Sequence, residues 1–515
     1  MTSTPRSVVR AALLAAVVAT SPSHSAAQAL PGLLSLGVRH TTLKNTTRPD
    51  SALRLRIDSI DVAIAQATRT GRTAEVRRLY AKAATLLGRR PWTPESDYAA
   101  SLRLRTEQQV VDPAHRWLVR LEQSYEPEIT LTRPLRARAE LRQRIPGARA
   151  DAPLRVVREI AEFDAVPSDL RDTPLHIGTR LDGVADGSYV VAVEVIDSAR
   201  TLATATLPIV VRSGLGALEA RLEAAAARVA EPIRSDLLFA VERLRNVNAS
   251  RLALGTFDPL VAFAAAESVL VRVERGEDPW SGRTGDLRRH YRLEPADEIM
   301  PYRLYVPTGY RPSTAMPLIV ALHGLGGTEN DFFEFYERRL PALAEERGYI
   351  IAAPLGYRVD GGYGFPLVAS VEPAVVRARE LSEADVLGML DAVRSQYRID
   401  ASRVFLMGHS MGAIGTWALA ARYPDRWAAL GAFAGFGSPA TARTIATIPQ
   451  YIVHGDADPT VSVSGSRTMV AALRQAGAVV EYIEVPGGDH SNVVAPHLPG
   501  MFDFFDRVRA GGTPR

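Results

Sequence analysis

Three short stretches of this chain hold residue types suited to acyl transfer. Gly408-His409-Ser410-Met411-Gly412 places a serine between two glycines, after the apolar run Val404-Phe405-Leu406-Met407 and before the Ala-rich stretch from Ala413 to Arg422. A serine on a sharp strand-to-helix turn has its hydroxyl lifted into solvent, and glycines two residues either side remove side chains that would collide with it. The N–H groups that follow lie at a helix N-terminus, where they can face an oxyanion. A hydroxyl is a poor nucleophile without a base, and a neutral imidazole serves as one when a carboxylate fixes its tautomer. His454-Gly455-Asp456-Ala457-Asp458 follows the apolar run Tyr451-Ile452-Val453, and Gly487-Gly488-Asp489-His490 follows the run from Val479 to Val485. Ser410 thus has an imidazole, His490, and a choice of acids, Asp456 or Asp458, to work with.

The elements that must position these groups are legible in the same region. Pro317-Leu318-Ile319-Val320-Ala321-Leu322 and Tyr349-Ile350-Ile351-Ala352-Ala353 join the runs ending at Met407 and Val453 as short apolar segments separated by helical stretches. Such alternation predicts an α/β fold with a doubly wound, mostly parallel sheet buried on both faces, with functional groups where its strands end. The order serine, acid, histidine is the order of one hydrolase fold and not of the other serine hydrolases.

Together with Tyr302-Arg303-Leu304-Tyr305-Val306-Pro307 and Leu322-His323-Gly324-Leu325-Gly326-Gly327, these motifs give the stretch from about residue 290 to 510 its likeness. It resembles the α/β-hydrolase superfamily, and within it the secreted esterases and predicted peptidases grouped with polyhydroxybutyrate depolymerases, feruloyl esterases and the prolyl oligopeptidase catalytic domain. The resemblance implies a Ser410-Asp458-His490 triad, with Asp456 shaping its loop. It also implies oxyanion donors at the N–H groups of Met411 and Leu325, with Gly326 as the runner-up for the second. No metal or organic cofactor is implied. The substrate implied is a small carboxylic ester. Alternatives are a short peptide, as in the prolyl oligopeptidase relatives, acyl transfer to an alcohol, or a surface-binding protein whose hydrolase domain is inert. The peptidases typically carry a β-propeller, and the N-terminal half here has no blade period.

Gly356-Tyr357-Arg358-Val359-Asp360-Gly361-Gly362-Tyr363-Gly364-Phe365 follows a strand end, which predicts a loop whose Tyr357, Tyr363 and Phe365 line a pocket. His323, His409 and His454 neighbour functional residues without occupying the base's position, and are read as hydrogen-bonded structural histidines.

The rest of the 515 residues carry no visible chemistry. With 46% hydrophobic and 23% charged residues the composition is that of a folded globular protein, and it disfavours disorder and multispan membrane classes. The net charge of +4 comes from scattered arginines, Lys44 and Lys82 being the only lysines, which gives nucleic-acid binding no support. Absence of cysteine excludes disulfides, thiolate metal sites and a cysteine nucleophile. Arg6, Arg10, an apolar run from Ala11 to Ala19 and Ala27-Gln28-Ala29 predict a signal peptide cut near Ala29, hence a secreted or periplasmic protein without a stable membrane span. Helical spacing predicts a helical segment over 30–111, containing a hairpin with its turn at Gly71. Alternation at Tyr189, Val191, Val193 and Val195 predicts a β-sandwich-like module over 112–213, loosely resembling bacterial immunoglobulin-like modules. A helical connector and a Gly-rich linker are expected over 214–284, leaving 285–515 as a self-sufficient catalytic domain.

Overall fold

The computed structural model describes residues 29–511 apart from 48, 130–133, 146–148, 150–151, 168, 199, 250 and 368–371. The expected leader lies outside the described residues. Helix α1 (Ala29–Thr47) is followed by a hairpin of α2 (Ser51–Arg69) and α3 (Thr73–Leu87). Asp50 caps α2 by accepting the Leu53 N–H at 2.9 Å. Ile57, Ile60, Ile64 and Ala67 of α2 then bury their stripe against Val76, Ala83, Leu86 and Leu87 of α3. Helix α1 packs Leu33 and Leu43 against that core and adds polar contacts: His40 Nε2 lies 2.6 Å from Asp61, and Lys44 Nζ lies 2.6 Å from Asp58. Its far side reaches the other end of the sequence, where Asn45 Nδ2 donates to the Pro459 carbonyl at 2.6 Å.

After α4 (Pro94–Ser101) come eight strands, β1 (Leu102–Thr106), β2 (Val110–Val111), β3 (Arg116–Gln123), β4 (Leu135–Gln143), β5 (Arg155–Val166), β6 (Leu175–Arg180), β7 (Gly187–Asp197) and β8 (Arg200–Val211). They form a three-stranded sheet, β1-β3-β6, and a five-stranded sheet, β2-β8-β7-β4-β5. Trp117, Val119, Leu121 and Ile177 from the first share one core with Leu141, Val191, Val193, Val195 and Ile209 from the second. The strands begin at Leu102, ahead of the expected boundary at 112, because Leu102 and Leu104 alternate with arginines and belong to that core.

Helices α5 (Leu215–Ala226), α6 (Ile233–Asn248) and α7 (Pro259–Glu274) bury Leu218, Leu222, Leu237, Leu244, Phe263 and Leu270 together with Val110 and Val210 of the sandwich. These helices lie in the stretch expected as a connector, and they and the residues after them also pack on the last domain. Asp236 of α6 is 3% exposed and accepts the His290 N–H at 2.9 Å, with Arg289 Nε at 3.3 Å, while Phe239 stacks on the His290 ring at 4.0 Å. Trp280, inside the expected linker, lies under the Arg289 guanidinium at 4.0 Å. Glu242 accepts the Ile299 N–H at 2.6 Å. Helix α6 therefore covers the start of the last domain, and losing one partner of a buried, hydrogen-bonded charge costs about 3–5 kcal/mol. Asp236→Ala is expected to lower unfolding free energy by about 3 kcal/mol, read by denaturant unfolding. A chain starting at Gly285 should be insoluble where one starting at Gly214 is soluble; equal solubility of the two would show that α6 is dispensable.

The last domain holds β9 (Gly285–Leu293), β10 (Glu298–Val306), β11 (Met316–Leu322), α8 (Arg339–Arg347), β12 (Ile350–Pro354), α9 (Pro373–Gln396), β13 (Ile399–His409), α10 (Met411–Arg422), β14 (Leu430–Phe433), β15 (Gln450–Gly455), α11 (Val463–Gln475), β16 (Val480–Val485) and α12 (Val494–Arg509). The sheet order is β16-β15-β14-β13-β11-β12-β10-β9. Pairing is parallel from β12 to β16, and the β9-β10 hairpin joins antiparallel to β12. Alternate residues of one strand enter opposite cores: Leu318, Val320 and Leu322 pack with Met389, Leu406 and Trp417, whereas Ile319 and Ala321 pack with Phe405, Phe433 and Phe502. Burial on both faces is why these strands read as continuous apolar runs. Their C-terminal ends place the loops after β11, β12, β13, β15 and β16 at one edge.

Candidate active site

Ser410 sits between β13 and α10 at φ 58° and ψ −118°, a left-handed conformation unfavourable for a side chain with a Cβ. The flanking glycines make the turn sterically possible: a Cβ on Gly412 would strike the Leu322 carbonyl, and one on Gly408 would strike the Gly412 backbone. The turn is tied into the sheet by the Ser410 N–H, which donates to the Phe433 carbonyl at 2.8 Å.

Ser410 Oγ lies 2.9 Å from His490 Nε2, and His490 Nδ1 lies 2.7 Å from Asp458 Oδ2. The other Asp458 oxygen accepts the Thr460 and Val461 N–H groups at 2.7 and 2.9 Å. Burial by itself would raise the Asp458 pKa, but hydrogen bonds from His454, His490 and the Val461 N–H outweigh it and hold the carboxyl well below the usual range. With Asp458 ionised and facing Nδ1, the imidazole carries its proton there and presents the Nε2 lone pair to the serine. Asp456 is 31 residues from its partner in sequence, the Gly487 N–H at 2.7 Å, and so braces the loop carrying His490 without touching the ring. His454 is a positioning group: its Nδ1 is 2.7 Å from Ser466 Oγ, and its Nε2 faces both the Val461 carbonyl at 3.0 Å and Asp458 at 3.2 Å.

The loop after β11 packs directly on the elbow, since a Cβ on Gly324 would lie 3.4 Å from Ser410 Cβ. The Gly326 N–H donates to the Val359 carbonyl at 2.7 Å, which removes the runner-up oxyanion donor. The Leu325 N–H has no hydrogen-bond partner among the described residues, and the Met411 N–H is the first of α10, where helices lack an intrahelical acceptor. His323 ring nitrogens lie 2.7 Å from the Gly324 and Leu355 carbonyls, clamping the loop's start. Asp331 accepts the Thr328 N–H at 3.0 Å and clamps its end; burial raises that carboxyl's pKa.

The three expected pocket residues part company. Tyr363 is fully buried at φ 52°, donates to the His323 carbonyl at 3.2 Å and wedges its ring against Gly356 and Gly415. It supports the loop after β11 and lines no pocket. Tyr357 is likewise committed: its N–H donates to Asp385 at 2.7 Å, its hydroxyl to Glu298 at 3.1 Å, and the Arg358 guanidinium lies 3.8 Å over its ring. Burial pushes Asp385 up to about 6 despite the bonds it accepts from Tyr291 and this loop. Phe365 is half-buried and meets Phe436 edge-on at 5.7 Å, with Phe436 36% exposed. The sequence carries no signal for Phe436 beyond its place just past the end of β14. It carries none either for the contact of α1 with the acid's turn, where Thr42 Oγ1 lies 3.3 Å from Thr460 Oγ1 and Asn45 holds Pro459. Among the described residues no group of three or more His, Cys, Asp or Glu could hold a metal ion, and no helix is long and apolar enough to cross a membrane.

Residues 296–485 match the family model described as "Putative esterase". Feruloyl esterase B of Neurospora crassa is 29% identical over 147 residues, which are 28% of this chain and 48% of that protein. Feruloyl esterase B of Talaromyces stipitatus is 32% identical over 132 residues, 26% of this chain and 35% of that protein. The chain thus spans about half or less of the length of these curated relatives. An S-formylglutathione hydrolase structure from Agrobacterium tumefaciens aligns with 43% of this chain and 95% of its own at 20% identity and a TM-score of 0.37. The matched stretch lies in the eight-stranded sheet, whose strand ends carry the Ser410–His490–Asp458 contacts, so the C-terminal part of this chain has a doubly wound α/β fold and is similar in sequence to esterases over residues 296–485.

Proposed function

We propose that the protein is an exported serine hydrolase of carboxylic esters. The observation that carries this reading is the His490 ring bridging Ser410 Oγ at 2.9 Å and Asp458 Oδ2 at 2.7 Å. Ser410 attacks the ester carbonyl while His490 Nε2 takes its proton, and Asp458 stabilises the imidazolium that forms. The tetrahedral oxyanion is held by the Met411 and Leu325 N–H groups. His490 then protonates the departing alcohol, and a water, deprotonated by the same ring, resolves the acyl-enzyme. Export rests on the sequence alone, through Arg6, Arg10 and the apolar run from Ala11 to Ala19.

An ester is favoured over a peptide by the site's chemistry. Amide cleavage needs protonation of a poor leaving group and firm anchoring of the chain, commonly by charged groups. Phe365 and Phe436 instead offer an apolar, partly exposed aromatic pair suited to an acyl or aryl portion. The relatives matched over this region are named as esterases. The test is fluorophosphonate labelling followed by kcat/KM for a short-chain aryl ester and for prolyl and alanyl arylamides. Labelling at Ser410 and an ester value roughly 100-fold higher or more are expected. An arylamide value equal to the ester's would favour a peptidase, and no labelling would favour an inert domain.

A further inference from the structure

The residue before the nucleophile has an unusual set of partners. His409 is 5% exposed, and its Nε2 lies 2.7 Å from the main-chain carbonyl oxygen of His490, 81 residues away. A carbonyl only accepts, so Nε2 must carry the proton; in a neutral ring Nδ1 is then a lone pair. Tyr336 Oη lies 2.9 Å from that Nδ1 and is its donor. The two rings meet edge-on at 5.6 Å, and the His409 and His490 rings lie 4.8 Å apart. Both His409 nitrogens are therefore occupied, so it cannot stand in for His490 as a base.

Tyr336 is delivered by a strained turn. Tyr336, Glu337 and Arg338 have φ values of 50°, 58° and 54°, three left-handed non-glycine residues in succession. Each is unfavourable, and such backbone persists only where its surroundings over-determine it. Here Tyr336 packs against Phe332 with ring centres 5.1 Å apart and tilted by 41°, and its hydroxyl closes on His409. The segment begins just past Asp331, which clamps the oxyanion loop.

We infer that Tyr336 and His409 are positioning residues for the reaction: a hydroxyl-to-imidazole-to-carbonyl relay that sets the backbone of His490 against the nucleophile elbow. The inference deepens the serine hydrolase reading and rests on it. The loop carrying His490 is otherwise braced mainly within itself and by the acid turn, through Asp489 with the Ser491 and Asn492 N–H groups, and Gly487 with Asp456. The relay is the bond that references it to the strand holding Ser410. Reactive geometry is sensitive to displacements of about an ångström or less, so loosening this reference lowers the chemical step more than substrate binding. Two further properties keep the relay in one state. Burial, with the neighbouring His490, pushes His409 down to about 3, so the ring stays neutral. Burial also raises the Tyr336 phenol above its ordinary range, so the hydroxyl remains a donor.

The experiment measures kcat, KM, fluorophosphonate labelling rate and Tm on the full chain for three variants. Tyr336→Phe removes one oxygen and is expected to lower kcat and the labelling rate about 5- to 10-fold with KM within about twofold. His409→Leu, which removes the donor to the His490 carbonyl, should lower kcat about 100-fold. His409→Gln, whose amide N–H can still reach that carbonyl, should recover to within about fivefold of the parent. Should the leucine variant fail to fold, the phenylalanine and glutamine variants carry the test through their ratio of kcat to KM effects. Tyr336→Phe within about twofold of the parent in kcat, or glutamine impaired at the leucine level with an unchanged Tm, would overturn the relay. Failure of the hydrolase reading has a different signature, a parent enzyme that takes up no fluorophosphonate, and it overturns both.

Discussion

Ser410→Ala is expected to lower ester hydrolysis by roughly 10⁴- to 10⁶-fold and to abolish fluorophosphonate labelling, because nucleophile and base act as a unit. What remains would come from the oxyanion donors and substrate binding, which the substitution leaves alone. The fold should survive. The serine side chain's hydrogen bond is to His490, and alanine at φ 58° is strained no more than serine is. Folding is checked by thermal unfolding, with Tm expected within about 3 °C of the parent. A folded variant retaining about a tenth of the parent turnover would show that Ser410 is not the nucleophile.

Asp458→Asn is expected to lower kcat by roughly 10³- to 10⁴-fold, whereas Asp456→Asn should cost less than about fivefold. The asymmetry follows from what each carboxylate touches. In the Asp458→Asn variant the carbonyl oxygen would be held by the Thr460 and Val461 N–H groups, which turns the amide N–H₂ toward His490 Nδ1. The ring must then carry its proton on Nε2, where it can no longer take one from Ser410. Asparagine in place of Asp456 can still accept the Gly487 N–H. The reverse ranking would show that Asp456 is the acid. The same carboxylate makes a stability prediction. A carboxyl whose pKa is lower folded than unfolded contributes stability that is present above its unfolded value, about 4, and lost as pH falls below it. The Asp458 pKa is lowered, so the Tm difference between the parent and Asp458→Asn should be large near neutral pH and shrink as the solution is acidified below about pH 4.

Much of the site was readable in the chain because its rules are local. The glycines at 408 and 412 are needed wherever a serine turns this sharply, since the collisions they avoid lie within the turn and with the adjacent strand. Runs such as Leu318 to Leu322 are apolar at every position because both faces of a parallel strand are buried, so the doubly wound sheet follows from the apolar runs and their spacing. The order of Ser410, the acid and His490 follows from the order of the strand ends that carry them.

Other features depend on contacts between distant segments. Asp456 and Asp458 are two residues apart in one loop and chemically identical; only the direction of the turn, with Thr460 and Val461 N–H groups behind Asp458, aims one of them at a ring 32 residues later. Tyr363 looked like a pocket residue because a Gly- and Tyr-rich loop at a strand end is ordinarily exposed. The small residues that let it bury itself are Gly356 in its own loop and Gly415 on α10, far along the chain. Helix α6 has the periodicity of an ordinary amphipathic connector, and nothing in that pattern says that Asp236 will meet Arg289 and His290 in the interior. The sheet, the elbow and the three residue types of the proposed triad are therefore written in the chain itself, because sterics and periodic burial act over a few residues. Which acid faces His490, what braces the loop after β11 and where Tyr336 reaches His409 were settled by chain closure over tens of residues, which no local pattern encodes.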